Sequence, residues 1–206
     1  TIRSSTRKDR FTTAQLVVGK TAESWMDNLE QSIARGNELL VIDNRVEFEW
    51  TEETLQKVAD FMTEYPFKLI IQSKEDVILR TFNLIDVTKR SSVEGFVLAD
   101  EPITLTDYPN VRTVSANTLP YHYEGANAVQ ELAIALAQAA EQIGESSFEQ
   151  FEKTFYVNFA IDTQFFMEIA KIRAFRVLWK AFSKAYGVEQ SNVPVLAETS
   201  LRSFSK

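Results

Sequence analysis

The sequence predicts an α/β protein with parallel strands, arranged as a (β/α)8 TIM-type barrel that is incomplete at about seven strands. Three observations lead there. Short apolar runs alternate with segments of helical period along the whole chain, which implies right-handed βαβ units and a parallel sheet. No glycine-rich turn follows the first run, as a dinucleotide-binding sheet would require. The length of 206 residues falls a little short of the roughly 250 typical of a complete barrel. A doubly wound open sheet is the competing arrangement.

The elements follow in order. Residues 15–19 (QLVVG) form a short apolar run suited to a buried strand. Residues 21–35 carry Trp25, Leu29 and Ile33 at helical spacing, and Gly36 follows as a C-cap. Residues 38–44 (ELLVIDN) make a second strand. Thr51 is the N-cap of the next helix, with Thr54 where a capping box favours Glu or Gln, and Leu55, Val58 and Met62 on one face. Residues 67–72 are the third strand, 74–90 a helix, 95–98 the fourth strand and 111–117 the fifth. Between the last two, residues 99–110 hold Pro102 and Pro109 and show no helical period. Residues 126–143 are an alanine-rich helix stopped by Gly144, and Ser146 or Ser147 caps a short helix after it. Residues 155–161 (FYVNFAI) are strand six, 163–186 a long helix, and 193–197 strand seven, with Pro194 near its start where a missing donor is tolerated.

Composition narrows the function. A net charge of −7 and a pI near 4.9 argue against nucleic acid as a partner. The absence of cysteine excludes disulfides, thiol nucleophiles and Cys-ligated zinc, and fits a cytoplasmic protein. No apolar run approaches the roughly 18 residues needed to cross a bilayer. No signal peptide is expected, and the start at Thr1 without Met suggests a processed or partial chain. None of the six glycines falls in a G-x-S-x-G, a P-loop or a G-x-G-x-x-G pattern. The adjacent pair Asp100-Glu101 does not suit a glycosidase, whose two carboxyls must flank one bond from opposite sides.

The one histidine, His122, sits in the run Tyr121-His122-Tyr123 just after a strand and just before a helix. In a barrel that is the C-terminal rim, where a lone imidazole could serve as general acid. The ordinary alternative is a surface-loop histidine that only ends the strand. Without a second His or any Cys, metal ligation is not expected. Arg3, Arg7, Lys8 and Arg10 cluster at the start and read as a solvated arm. Arg173, Arg176, Lys180 and Lys184 share one helical face, expected on the solvent side, with a subunit contact as the alternative. Phe165, Phe166, Phe175, Trp179 and Phe182 are expected in the core.

Residues 165–179, FFMEIAKIRAFRVLW, resemble a signature helix of the adenosylcobalamin-dependent methylmalonyl-CoA mutase family, which packs outside the substrate-binding barrel. Tyr121-His122 followed by GANAVQELA (residues 125–133) resembles that family's entry into the helix after its fifth strand, with the shorter spacing of the small, non-catalytic subunit of heterodimeric mutases. The resemblance implies that Tyr121 and His122 correspond to a pair beside the substrate thioester in catalytic chains. It also makes Thr199-Ser200 the remnant of a His-x-Gln-Thr-Ser-Gly run and so the substrate-binding candidates. Other family positions have changed. Ser5 stands where a tyrosine shields the radical, residues 95–100 (GFVLAD) replace a Thr-Ile-Gln-Asn-Asp run, Thr154 replaces an arginine, and Arg112 has no clear match to the carboxylate clamp.

What this resemblance implies is a single barrel domain over residues 1–206, lacking the last strand and the cobalamin-binding domain. The chain would be a structural small subunit paired with a catalytic large subunit. That heterodimer would interconvert methylmalonyl-CoA and succinyl-CoA, an isomerase reaction, through a radical derived from adenosylcobalamin, a cofactor not expected to bind this chain. The alternative is a catalytically competent acyl-CoA mutase chain with altered acyl specificity.

Overall fold

Parallel pairing of short apolar strands organises each half of the protein. The computed structural model describes residues 12–45, 49–144 and 146–202, and the chain divides into two units, Thr1–Val111 and Arg112–Lys206. The basic cluster at residues 3–10 and the Ser5 position lie outside the described residues.

The first unit carries β1 (Ala14–Val17), β2 (Leu39–Asp43), β3 (Phe67–Ile70) and β4 (Gly95–Leu98), and the sheet order β1-β2-β3-β4-β5 ends on the two-residue β5 (Val111–Arg112). In register, Leu40 lies between Gln15 and Phe67, and Phe67 opposite Gly95. Glycine is required there, because a Cβ on residue 95 would come within 2.6 Å of three ring carbons of Phe67. The helix α1 (Ala22–Ala34) buries Trp25 and Leu29, four residues apart and so on one face, and the Trp25 indole donates to the Val17 carbonyl at 3.0 Å. The helix α2 (Glu52–Glu64) begins with a complete capping box in which Thr54 replaces the usual Glu, its hydroxyl accepting from the Thr51 amide at 3.0 Å.

The expected helix over residues 74–90 is broken into a 3-10 turn (Val77–Arg80), a single α-turn α3 (Thr81–Leu84) and a second 3-10 turn (Val87–Ser92). The cause is local. The carboxylates of Asp76 and Asp86 each accept from the amide two residues on, at 3.2 and 2.8 Å, and so start a new turn each time. Ile85 between them is extended. Residues 99–110 form no helix, as the sequence predicts. There the Tyr108 hydroxyl donates to the Phe82 carbonyl, and the two rings meet edge to face.

In the second unit β6 (Val114–Asn117), β7 (Phe155–Ile161) and β8 (Val195–Thr199) pair in parallel in the order β6-β7-β8. The expected single strand over 111–117 is therefore two strands of different sheets, interrupted at Thr113. The helices are α4 (Leu119–Tyr123), α5 (Ala128–Ile143), α6 (Phe148–Thr154) and α7 (Phe165–Ala185). Asn127 caps α5 and Ser147 caps α6 through side-chain oxygens. The period-2 alternation of β7 sends Phe155, Val157 and Phe159 into one apolar cluster with Phe175 and Trp179 of α7. Phe155 stacks on Trp179 with centroids 5.5 Å apart. Tyr156, Asn158 and Ala160, on the other face of β7, are just as deeply buried. Burial pushes the Tyr156 phenol well above its ordinary range.

Two expectations about α7 separate here. Phe175 and Trp179 are core and Phe182 packs against it, but Phe165 and Phe166 are exposed. The core-facing register of the helix runs through Glu168, Lys171, Phe175 and Trp179, and Phe166 does not share that side. The four basic residues Arg173, Arg176, Lys180 and Lys184 do face solvent.

Candidate functional site

Each of the three strands of the second unit ends on a polar residue: Thr118 after β6, Asp162 after β7 and Ser200 after β8. Because the strands are parallel, all three lie at the C-terminal edge of the sheet, where α/β folds build their sites. His122 joins them. It is not in an exposed loop but on α4, a short helix opened by Pro120, and it is only 2% exposed.

The imidazole is held on both sides. Nδ1 lies 3.0 Å from Glu131 Oε1, and Nε2 lies 2.8 Å from Ser200 Oγ. A carboxylate only accepts, so Nδ1 donates to Glu131, and Nε2 is hydrogen-bonded to the Ser200 hydroxyl. Glu131, on α5, also accepts from the Thr118 hydroxyl at 2.9 Å and from Lys171 Nζ at 3.2 Å. Lys171, on α7, is fully buried and donates to the Ala160 carbonyl at 2.7 Å, with Glu168 Oε2 at 2.6 Å. Two acids thus face one ammonium, as desolvated charges require.

A second group of contacts covers the imidazole. Asp162 Oδ2 stands 3.9 Å from Nε2 and pairs with Arg202 at 3.0 Å. Arg202 also donates to the His122 carbonyl at 2.8 Å, and the Ser200 amide donates to Ile161 O at 2.8 Å. The backbone amide of Thr163, bonded to Asp162, holds that carboxyl below its usual range, with the Arg202 guanidinium adding to the effect.

Of the residues singled out in the sequence, the fold brings His122 and Ser200 together and leaves Tyr121 and Thr199 exposed. Thr154 ends α6, its hydroxyl bonded to Phe151 O. Arg112 is taken up by the carbonyls of Glu152 and Phe155. Glu101 accepts from the Lys74 amide, a contact between two exposed segments 27 residues apart in sequence. Sequence reasoning missed Glu131, Glu168, Lys171, Thr118, Asp162 and Arg202. One signal was available: Lys171 stands four and eight residues before Phe175 and Trp179, a charge in the apolar register of its helix.

Among the described residues, no group of three or more His, Cys, Asp or Glu is placed to hold a metal ion, and no helix is long and apolar enough to cross a membrane. Cobalt ligation by an imidazole does not fit His122, the one histidine of the sequence, because both ring nitrogens are already bonded inside the protein.

A family profile described as methylmalonyl-CoA mutase matches residues 102–204, half of the chain. The methylmalonyl-CoA mutase small subunit of Streptomyces virginiae is 37% identical over 90 residues, which is 39% of this chain and 14% of that protein. The small subunit of Porphyromonas gingivalis is 34% identical over 91 residues, 42% of this chain and 15% of that protein. A methylmalonyl-CoA mutase of Cereibacter sphaeroides is 36% identical over 81 residues, 37% of this chain and 11% of that protein. The matches thus span only 11–15% of the length of these relatives.

Proposed function

Because the chain belongs to the methylmalonyl-CoA mutase family, we propose that it is the barrel region of a small, non-catalytic subunit, which supports a large subunit that converts methylmalonyl-CoA and succinyl-CoA with adenosylcobalamin. The barrel would be a (β/α)8 type extending over residues 1–206 as one domain. Parallel strands with β7 buried on both faces support it. The single observation behind the non-catalytic role is the state of His122. Its two nitrogens are spent on Glu131 and Ser200, and it is buried beneath Arg202, so no ring atom is left to meet a thioester. Thr199 and Ser200, the substrate-binding candidates, split the same way: Ser200 is turned inward to the imidazole and Thr199 outward to solvent.

In this reading the polar residues at the strand ends hold the rim together instead of working on a substrate. Lys171 ties α7 to α5 and to the end of β7, and Ser200 ties the end of β8 to α4. Adenosylcobalamin would supply radical chemistry in the large subunit, and His122, with both ring nitrogens bonded, would not serve as its ligand. The location is proposed as the cytoplasm.

The test combines the full-length protein with purified large subunit, adenosylcobalamin and methylmalonyl-CoA. Succinyl-CoA forms with the pair and not with this protein alone, and His122→Gln leaves kcat of the pair within about twofold. Turnover by this protein alone would overturn the reading in favour of a competent acyl-CoA mutase with altered acyl choice.

A further inference from the structure

The polar set around His122 does not balance its own charge. Three carboxylates meet there: Glu131 on α5, Glu168 on α7 and Asp162 after β7. Two basic side chains answer them. Arg202, after β8, is spent on Asp162 at 3.0 Å, and Lys171, on α7, serves both glutamates at 3.2 and 2.6 Å. With all five ionised, one negative charge is left over. It falls among Glu131, Glu168 and Lys171, none of which is more than 8% exposed. A surplus charge in such a place is costly unless something neutralises it.

The imidazole is placed to do so. Nδ1 lies 3.0 Å from Glu131 and Nε2 3.9 Å from Asp162, so a carboxylate stands on each side of the ring. Burial opposes a charged ring on its own, whereas carboxylates this close favour it. Because the glutamates are already buried and short of a cation, charging the ring lowers the net buried charge instead of raising it. The hydrogen bonds allow it. Ser200 Oγ has two acceptor sites, enough for an Nε2 proton and for the Arg202 amide 3.1 Å away. The other described neighbours bring no charge: the Thr118 hydroxyl after β6 lies on Glu131, and the Tyr123 ring meets the imidazole edge to face at 5.8 Å.

We propose that this cluster takes up one proton on folding, carried on His122 as an imidazolium, and that the proton is a pH-sensitive clasp on the C-terminal edge of the second sheet. The ring joins α4 to α5 through Glu131 and to the end of β8 through Ser200, so its charge bears on how tightly those ends are held. Loss of the proton leaves the surplus negative charge in the interior and loosens α4 and the end of β8 first. The sign follows from linkage. A proton bound more tightly by the closed form than by the open one adds stability in full below the free imidazole's value of about 6.5, and that stability is lost as the pH rises until the closed form releases it. The clasp does not depend on the small-subunit role.

Hydrogen exchange of the full-length protein, followed by mass spectrometry from pH 5 to pH 9, tests it through the protection factors of peptides covering residues 118–126 and 195–202. Protection is expected to hold level up to about pH 6.5 and then to fall about tenfold per pH unit, the slope of a single proton. His122→Gln keeps hydrogen-bonding capacity but takes no charge, and is expected to remove the fall. Glu168→Gln removes the surplus charge, and is expected to cut the total loss of protection about tenfold. Level protection throughout in the wild type, or a fall that persists in His122→Gln, would overturn the clasp. A fall already under way at pH 5 would assign the proton to a carboxylate and overturn it too. If His122→Gln does not fold, Glu168→Gln decides: a diminished fall supports the clasp and an undiminished one overturns it.

Discussion

The two units solve the burial of a parallel sheet by different means. In Thr1–Val111 the buried residues are mostly apolar, from Trp25 and Leu29 through Leu40, Ile42 and Phe67 to Val97, with Lys68, Thr81, Ser32 and Asn37 the buried polar side chains among the described residues. In Arg112–Lys206 an aromatic stack of Phe151, Phe155 and Trp179 lies under the helices, while the strand ends close over an imidazole, a lysine and two glutamates. The comparison teaches where specificity is stored. An apolar core tolerates reshuffling of similar volume, whereas a buried ionic set loses most of its worth when any one member is removed. The family match runs over residues 102–204 and so falls almost entirely on the unit with the ionic set.

Substitutions at Glu131, Leu40, Lys171 and Ser200, and a change of pH, would break or sharpen that contrast. The largest effect is expected from Glu131→Ala, which leaves Lys171, His122 Nδ1 and the Thr118 hydroxyl without their shared acceptor. A loss of about 3–5 kcal/mol in urea unfolding is expected, and hydrogen exchange should localise it to residues 112–202. Leu40→Ala, in the apolar unit, should cost about 2–5 kcal/mol through transfer and cavity terms, and Leu40→Met under about 1.5 kcal/mol. If Lys171→Met were tolerated as well as Leu40→Met, the distinction between the two units would fail. Ser200→Ala removes the hydroxyl hydrogen-bonded to a buried ring nitrogen and should cost about 1–3 kcal/mol, with Ser200→Thr restoring part of it.

The smallest effect is a pH dependence. Asp162 has its folded pKa lowered by the Thr163 amide and Arg202, so the folded state binds its proton less readily than the unfolded chain. Its contribution is present in full above the unfolded value of about 3.9 and is lost as pH falls through the folded value. Urea midpoints taken from pH 6 down to pH 3 should therefore decline below about pH 4, and Asp162→Asn should flatten part of that decline. An unchanged slope in the variant would show that other carboxylates carry it.

How much of this was legible beforehand follows from the kind of force at work. Residues 95–98 and 155–161 are strands as the sequence predicts, because apolar runs bounded by turn residues state their own length. The capped starts at Thr51 and Ser147 are local and readable too, whereas the cap at Thr21 is not among the sequence expectations. The helix over 74–90 was misread because Asp76 and Asp86 divert the backbone through bonds that hydrophobic period does not register. At the site, the Tyr121-His122 run drew attention to the right neighbourhood. The acids and lysine around it come from α5 and α7, nine and forty-nine positions beyond His122, and only the fold brings them to one place. Residue type alone points Phe165 and Phe166 to the core, but the register of their own helix leaves both exposed.

The enclosure of Lys171 has a chemical consequence. Its nitrogen is surrounded by Glu131, Glu168 and the carbonyl of Ala160, so no approach path is available to an electrophile. Lys180 and Lys184 on the same helix stand in water. Anhydrides or activated esters should therefore label the latter two amines and spare the first while the protein stays folded, which makes acylation at Lys171 a built-in reporter of its unfolding.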